Sequence, residues 1–86
     1  MEIQRRKVYV SVNLDVDPEG NLLPRLIRWE DGQSFEVDRL RRKCRAAAKV
    51  GGFGIRYTVV IGGKETFLFH ESGSDKWFVE AKGGWR

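Results

Sequence analysis

One cysteine, Cys44, and one histidine, His70, occur in the 86 residues, and each scarcity excludes a class of chemistry. A lone Cys forms no internal disulfide, which fits a reducing compartment and a cytoplasmic protein. One His and one Cys cannot supply the four nitrogen and sulfur ligands of a zinc site. The acidic loop Asp15-Val16-Asp17-Pro18-Glu19-Gly20 lacks the ligand spacing of a calcium loop, so it is read as a solvated turn. No metal and no cofactor is expected. Catalysis is poorly supplied as well: His70 has no spaced partner, and Cys44, followed by Ala46 to Ala48, reads as a small packing residue. The chain is read as non-enzymatic.

Long apolar runs are also missing. After Arg5, Arg6 and Lys7 the chain is interrupted by Ser11, Asn13 and Asp15, so it shows neither a signal-peptide core nor a membrane-spanning helix there. Glycine is plentiful but not diagnostic. Gly51-Gly52-Phe53-Gly54 lacks the spacing of a dinucleotide fingerprint and Gly62-Gly63-Lys64-Glu65 is no P-loop, so both read as turns.

Acid is absent from one stretch. Arg39 to Lys49 carries Arg39, Arg41, Arg42, Lys43, Arg45 and Lys49 and no Asp or Glu. Outside it ten bases face twelve acids, so the net charge of +4 belongs to a near-neutral scaffold bearing one basic patch. Such a patch concentrates polyanions and is the electrostatic footprint of a nucleic-acid binder. The plainer reading is a solvated cationic face. Composition is globular: 33% charged residues are balanced by 12% aromatics available for burial.

Val8, Val10, Val12, Leu14 and Val16 alternate with polar residues, which predicts a half-buried strand ending in an Asp-Pro-Glu-Gly turn. Leu23 to Trp29 forms a second strand, with Pro24 at its start or on an edge. If Ile27 and Phe35 are both buried they face each other, which requires a three-residue loop of Glu30, Asp31 and left-handed Gly32. The same argument applied to Ile55 to Phe69 predicts a loop of Gly62, Gly63 and Lys64. It pairs Val59 with Phe67 and Tyr57 with Phe69, then Phe69 with Trp77 and Phe67 with Val79. One aromatic face would run across three strands. The reverse face would carry Thr58, Leu68 and Phe78 in a row, with His70 opposite Lys76, as a second packing surface.

Residues 38–50 have two readings. Asp38 caps a helix that places Leu40, Cys44, Ala47 and Ala48 on one face and stops at Gly51. Alternatively Phe35 and Val37 lead without a break into a long bent strand, in which Arg42 would point awkwardly inward. Local propensity favours the helix.

The order strand, turn, hairpin, basic segment, hairpin, strand resembles SH3-like small barrels. More specifically, Arg28 to Val37, Gly51 to Tyr57 and Lys76 to Glu80 look like the pattern of short uncharacterised bacterial proteins, a similarity spanning residues 23 to 80. That resemblance implies a bacterial stand-alone domain and a mainly β chain, and it transfers no activity. The expected fold is therefore a small antiparallel SH3-like barrel or strongly curled sheet of five or six strands, with one short helix or helical turn within 38–50 as an option. Residues 1–82 form one small β domain and 83–86 a short C-terminal tail.

The expected function is a nucleic-acid-binding module for DNA or RNA. Arg39, Arg41, Arg42, Lys43, Arg45 and Lys49 would neutralise phosphates and Arg28 and Arg56 extend the groove, as Arg25 also could. Tyr9, Phe53, Phe78, Trp29 and Trp85 are the candidate base-stacking residues. The alternative is a protein-protein interaction domain docking an acidic or apolar partner. No membrane partner is expected, and the oligomeric state is open.

Overall fold

The computed structural model describes residues 5–48 and 51–82. Seven strands follow one another: β1 (Arg5–Val16), β2 (Leu22–Arg28), β3 (Ser34–Glu36), β4 (Arg39–Ala47), β5 (Phe53–Ile61), β6 (Lys64–Glu71) and β7 (Trp77–Lys82). They form one antiparallel sheet in the order β3-β2-β1-β7-β6-β5-β4, curled into a half-barrel. The mainly β expectation holds, with seven strands in place of five or six and no helix among the described residues.

The two edges of the sheet belong to one stretch of chain, and this produces the curl. Along Ser34–Ala47 the backbone changes partner at a corner. The Val37 N–H donates to the Arg25 carbonyl of β2 at 2.9 Å, and the next N–H, of Asp38, donates to the Val60 carbonyl of β5 at 2.7 Å. Val37 is buried there, and the Asp38 carboxylate accepts from the Gly62 N–H at 3.0 Å. Asp38 therefore caps no helix. It ties the corner to the β5–β6 turn.

Residues 39–47 are a strand because tertiary pairing overrides their helical propensity. β4 pairs with β5 from Arg39↔Val60 to Ala47↔Phe53, and a bulge between Leu40 and Arg42 leaves Arg41 unpaired. The extra residue reverses the alternation. Leu40 packs into the core, whereas Arg42, Cys44 and Ala46 turn to the outer face and Lys43 and Arg45 to the inner one. The inward Arg42 that weighed against a strand is relieved in this way.

The β2–β3 hairpin has the expected register, with Ile27↔Phe35 and a loop of Glu30, Asp31 and Gly32 at φ 92°. The later registers differ by one residue. Gly62 and Gly63, at φ 58° and 80°, form a two-residue turn that pairs Ile61 with Lys64, so Tyr57 faces Leu68 and Thr58 faces Phe67. β6 and β7 then pair as Leu68↔Val79, Phe69↔Phe78 and His70↔Trp77. The continuous aromatic face is thus replaced by two rows. Tyr57, Leu68, Val79 and Val8 cross the inner face as part of the main core. Arg56, Phe69, Phe78 and Tyr9 cross the outer face.

On that outer face Phe69 and Phe78 stack at 4.9 Å and are buried with Ala48 in a second cluster. Glu71 joins β1 to the end of β6 beside them. Its carboxylate accepts from Ser74 Oγ at 2.7 Å, Lys7 Nζ at 3.0 Å and Tyr9 Oη at 3.1 Å. Pro24 is buried within β2 rather than at its first residue, opposite Leu14 and beside a register shift, beyond the segment that β3 pairs.

Candidate nucleic-acid interface

β4 forms an edge of the sheet, and its basic side chains are exposed. Alternation sends them to both faces. Lys43 and Arg45 lie on the inner side, with the Lys43 ammonium 5.8 Å from the Tyr57 ring and the Arg45 guanidinium 5.1 Å from that of Phe53. The β1–β2 turn answers Lys43: hydrogen bonds from Asn21 hold the Asp17 carboxyl below its usual range, and the Lys43 charge adds to the effect. Arg39 and Arg42 lie on the outer side. Arg41, in the bulge, meets Glu65 at 3.1 Å, a half-exposed pair of little energetic weight.

The outer group is completed from β5 and β6. Arg56 faces Cys44 on one side and Phe69 on the other, and its guanidinium lies 4.4 Å from the centre of the Phe67 ring. Its Nη2 donates to Cys44 Sγ at 3.7 Å, while its Nε is buried with no hydrogen-bond partner among the described residues. Phe67 is 42% exposed. No described carboxylate forms an ion pair with Arg39, Arg42, Lys43, Arg45 or Arg56. On the outer side Arg39, Arg42 and Arg56 thus carry positive charge on two neighbouring strands without a described ion pair, and Arg56 borders an exposed ring.

Several expected members are elsewhere. Arg28 lies on β2 opposite Ser34, on the β3 side of the corner, and joins neither half of the patch. Arg25 is bound to Asp15 at 3.0 Å. Lys49 and Trp85 lie outside the described residues. Among the proposed stacking residues Tyr9 and Phe53 are each 45% exposed, Trp29 packs against the main core, and Phe78 is fully buried. Phe67, expected to be buried, is the ring that the register argument missed. The signal was the Gly62-Gly63 pair, a strong two-residue hairpin turn that moves Phe67 beside Thr58 on the outer face.

His70 is opposite Trp77 rather than Lys76. It stacks on that ring at 4.3 Å and 10°, with Nε2 3.5 Å from Asp75 Oδ1. Among the described residues no three His, Cys, Asp or Glu side chains gather as a metal site, and no helix is long and apolar enough to cross a membrane. A mostly apolar cleft of about 180 Å³ opens between β2, β3 and the β5–β6 hairpin, lined by Ile27, Trp29, Phe35, Ile61, Thr66 and Val79 and by the charged Lys64 and Glu65.

Comparison with family models, curated proteins and solved structures finds no match for this chain.

Proposed function

We propose that this chain is a non-enzymatic, cytoplasmic binding module for single-stranded nucleic acid, acting through the outer face of β4, β5 and β6. The observation that carries the reading is the placement of Arg39, Arg42 and Arg56, free of ion pairs to described carboxylates, on one face of β4 and β5, with Arg56 over the exposed ring of Phe67 and Arg42 in the same cross-strand row across Thr58. Guanidinium groups neutralise phosphates, and a half-exposed aromatic on a sheet face offers one base a stacking platform without selecting its identity. A single strand fits better than a duplex, because stacking on Phe67 requires an unpaired base. The unpartnered, buried Nε of Arg56 points the same way, since a partly desolvated cation without a counter-charge gains from an incoming anion. The likeness to small stand-alone bacterial barrels belongs to this proposal.

Fluorescence anisotropy with labelled oligothymidylate and oligouridylate tests it. With about three phosphates neutralised, log affinity falls against log salt with a slope of about −2. Arg42→Glu with Arg56→Glu flattens that slope, and Phe67→Ala lowers affinity by about 1–3 kcal/mol while leaving the slope unchanged. Salt-independent binding, or equal affinity in all variants, refutes the reading.

A further inference from the structure

β4 offers something that no phosphate backbone needs, a row of main-chain groups with no strand beside it among the described residues. β5 pairs one side of β4, and the other side is the edge of the sheet. Past the Arg41 bulge the segment Arg42–Ala47 runs in unbroken register and contains neither Pro nor Gly. Six residues span about 20 Å, the length of an ordinary strand. We propose that this edge accepts an extended acidic peptide as an added strand, through main-chain pairing and opposite charge together.

Charge selects this occupant. Two copies of the chain joined edge to edge would set Arg42, Lys43 and Arg45 against their own kind, and like charges directly opposite destabilise a pairing. An acidic strand turns the same side chains into cross-strand partners. The alternation that divides the patch for a ligand lying on one face suits a strand, whose own side chains also alternate. Acids at successive positions would meet Arg45 and Lys43 on the inner side and Arg42 on the outer, while Cys44 and Ala46 leave room for its remaining side chains. The inference rests on the free edge and not on Phe67. Both ligands use Arg42, so they compete.

The test uses a peptide of about ten residues with a Glu-Thr-Glu-Glu core flanked by Thr, which places acids opposite Arg45, Lys43 and Arg42, and a second peptide of identical sequence with alternate backbone nitrogens methylated. Amide hydrogen exchange of the whole chain is followed at low salt. The unmodified peptide is expected to raise protection about tenfold at the alternate amides of Arg42–Ala47 that point away from β5, and methylation to weaken binding by about the same factor. Phe67→Ala leaves peptide binding unchanged, which separates this inference from the nucleic-acid reading. Equal binding of the two peptides overturns it, as does protection confined to residues outside β4. Concentration-dependent protection without peptide, the mark of a second copy, also overturns it. So does protection produced by oligothymidylate and by neither peptide.

Discussion

Glu71 is held by donors from three directions, Ser74 in the turn and Lys7 and Tyr9 on β1, and its side chain is 15% exposed. The Ser74 hydroxyl, followed by the Lys7 ammonium, lowers its pKa from 4.5 to about 2. A depressed carboxyl pKa contributes stability that is complete above the unfolded value and is lost as pH falls through the folded one, here from about 4.5 to about 2. Lys7 carries the opposite sign. The hydrogen bond to Glu71 raises it above 10.5, so its share is present below that value and disappears at higher pH. Glu71→Gln should therefore flatten the dependence of the urea midpoint on pH between about 4.5 and about 2, where the parent protein loses stability. An unchanged slope would remove Glu71 from this account. Gly54 makes a second prediction at this scale. A Cβ there would lie 2.0 Å from the His70 carbonyl oxygen, a backbone atom unable to retreat, so Gly54→Ala should cost at least about 2 kcal/mol in equilibrium unfolding.

At the scale of elements, short turns decide which residues share a face. Gly62 and Gly63 both adopt positive φ, so the two-residue turn sends Phe67 outward and Leu68 into the core. A side chain at Gly63 strains this turn, and Gly63→Val should lower stability by about 1–2 kcal/mol with strand content by circular dichroism retained. Phe78, fully buried against Phe69, should lose about 3–5 kcal/mol on Phe78→Ala, measured by denaturant unfolding. Phe78 is therefore a poor position for testing partners. Strand alternation in β1 and the Ile27↔Phe35 register were legible because a mismatched pair would have exposed one of two large apolar groups. The β5–β6 register was not, since Leu68 and Phe67 are both apolar and either can be buried; turn geometry, not burial, distinguishes them. β4 was legible only as one of two alternatives. Its helical propensity is local, whereas the Val37–Asp38 corner and the Arg41 bulge that make it a strand arise from β2 and β5, remote in sequence.

Across the whole molecule, the positive charge seen in the sequence is divided by the sheet rather than gathered in one groove. Lys43 and Arg45 share the inner side with the field of Asp17, Arg41 is engaged by Glu65, and Arg28 is separated by the corner. The remainder, Arg39, Arg42 and Arg56, shares the outer face with Phe67, and Arg56 lies over its ring. Linear charge was readable; its division between faces was not, because one bulged residue inverts the alternation of everything after it. The most direct measurement is amide chemical-shift mapping of the protein titrated with oligothymidylate at low salt. The account predicts shifts concentrated at Arg42, Thr58, Arg56 and Phe67 that reverse as salt is raised. Shifts centred on the β1–β2 turn or the cleft beside Trp29, or none at saturating oligonucleotide, would contradict it.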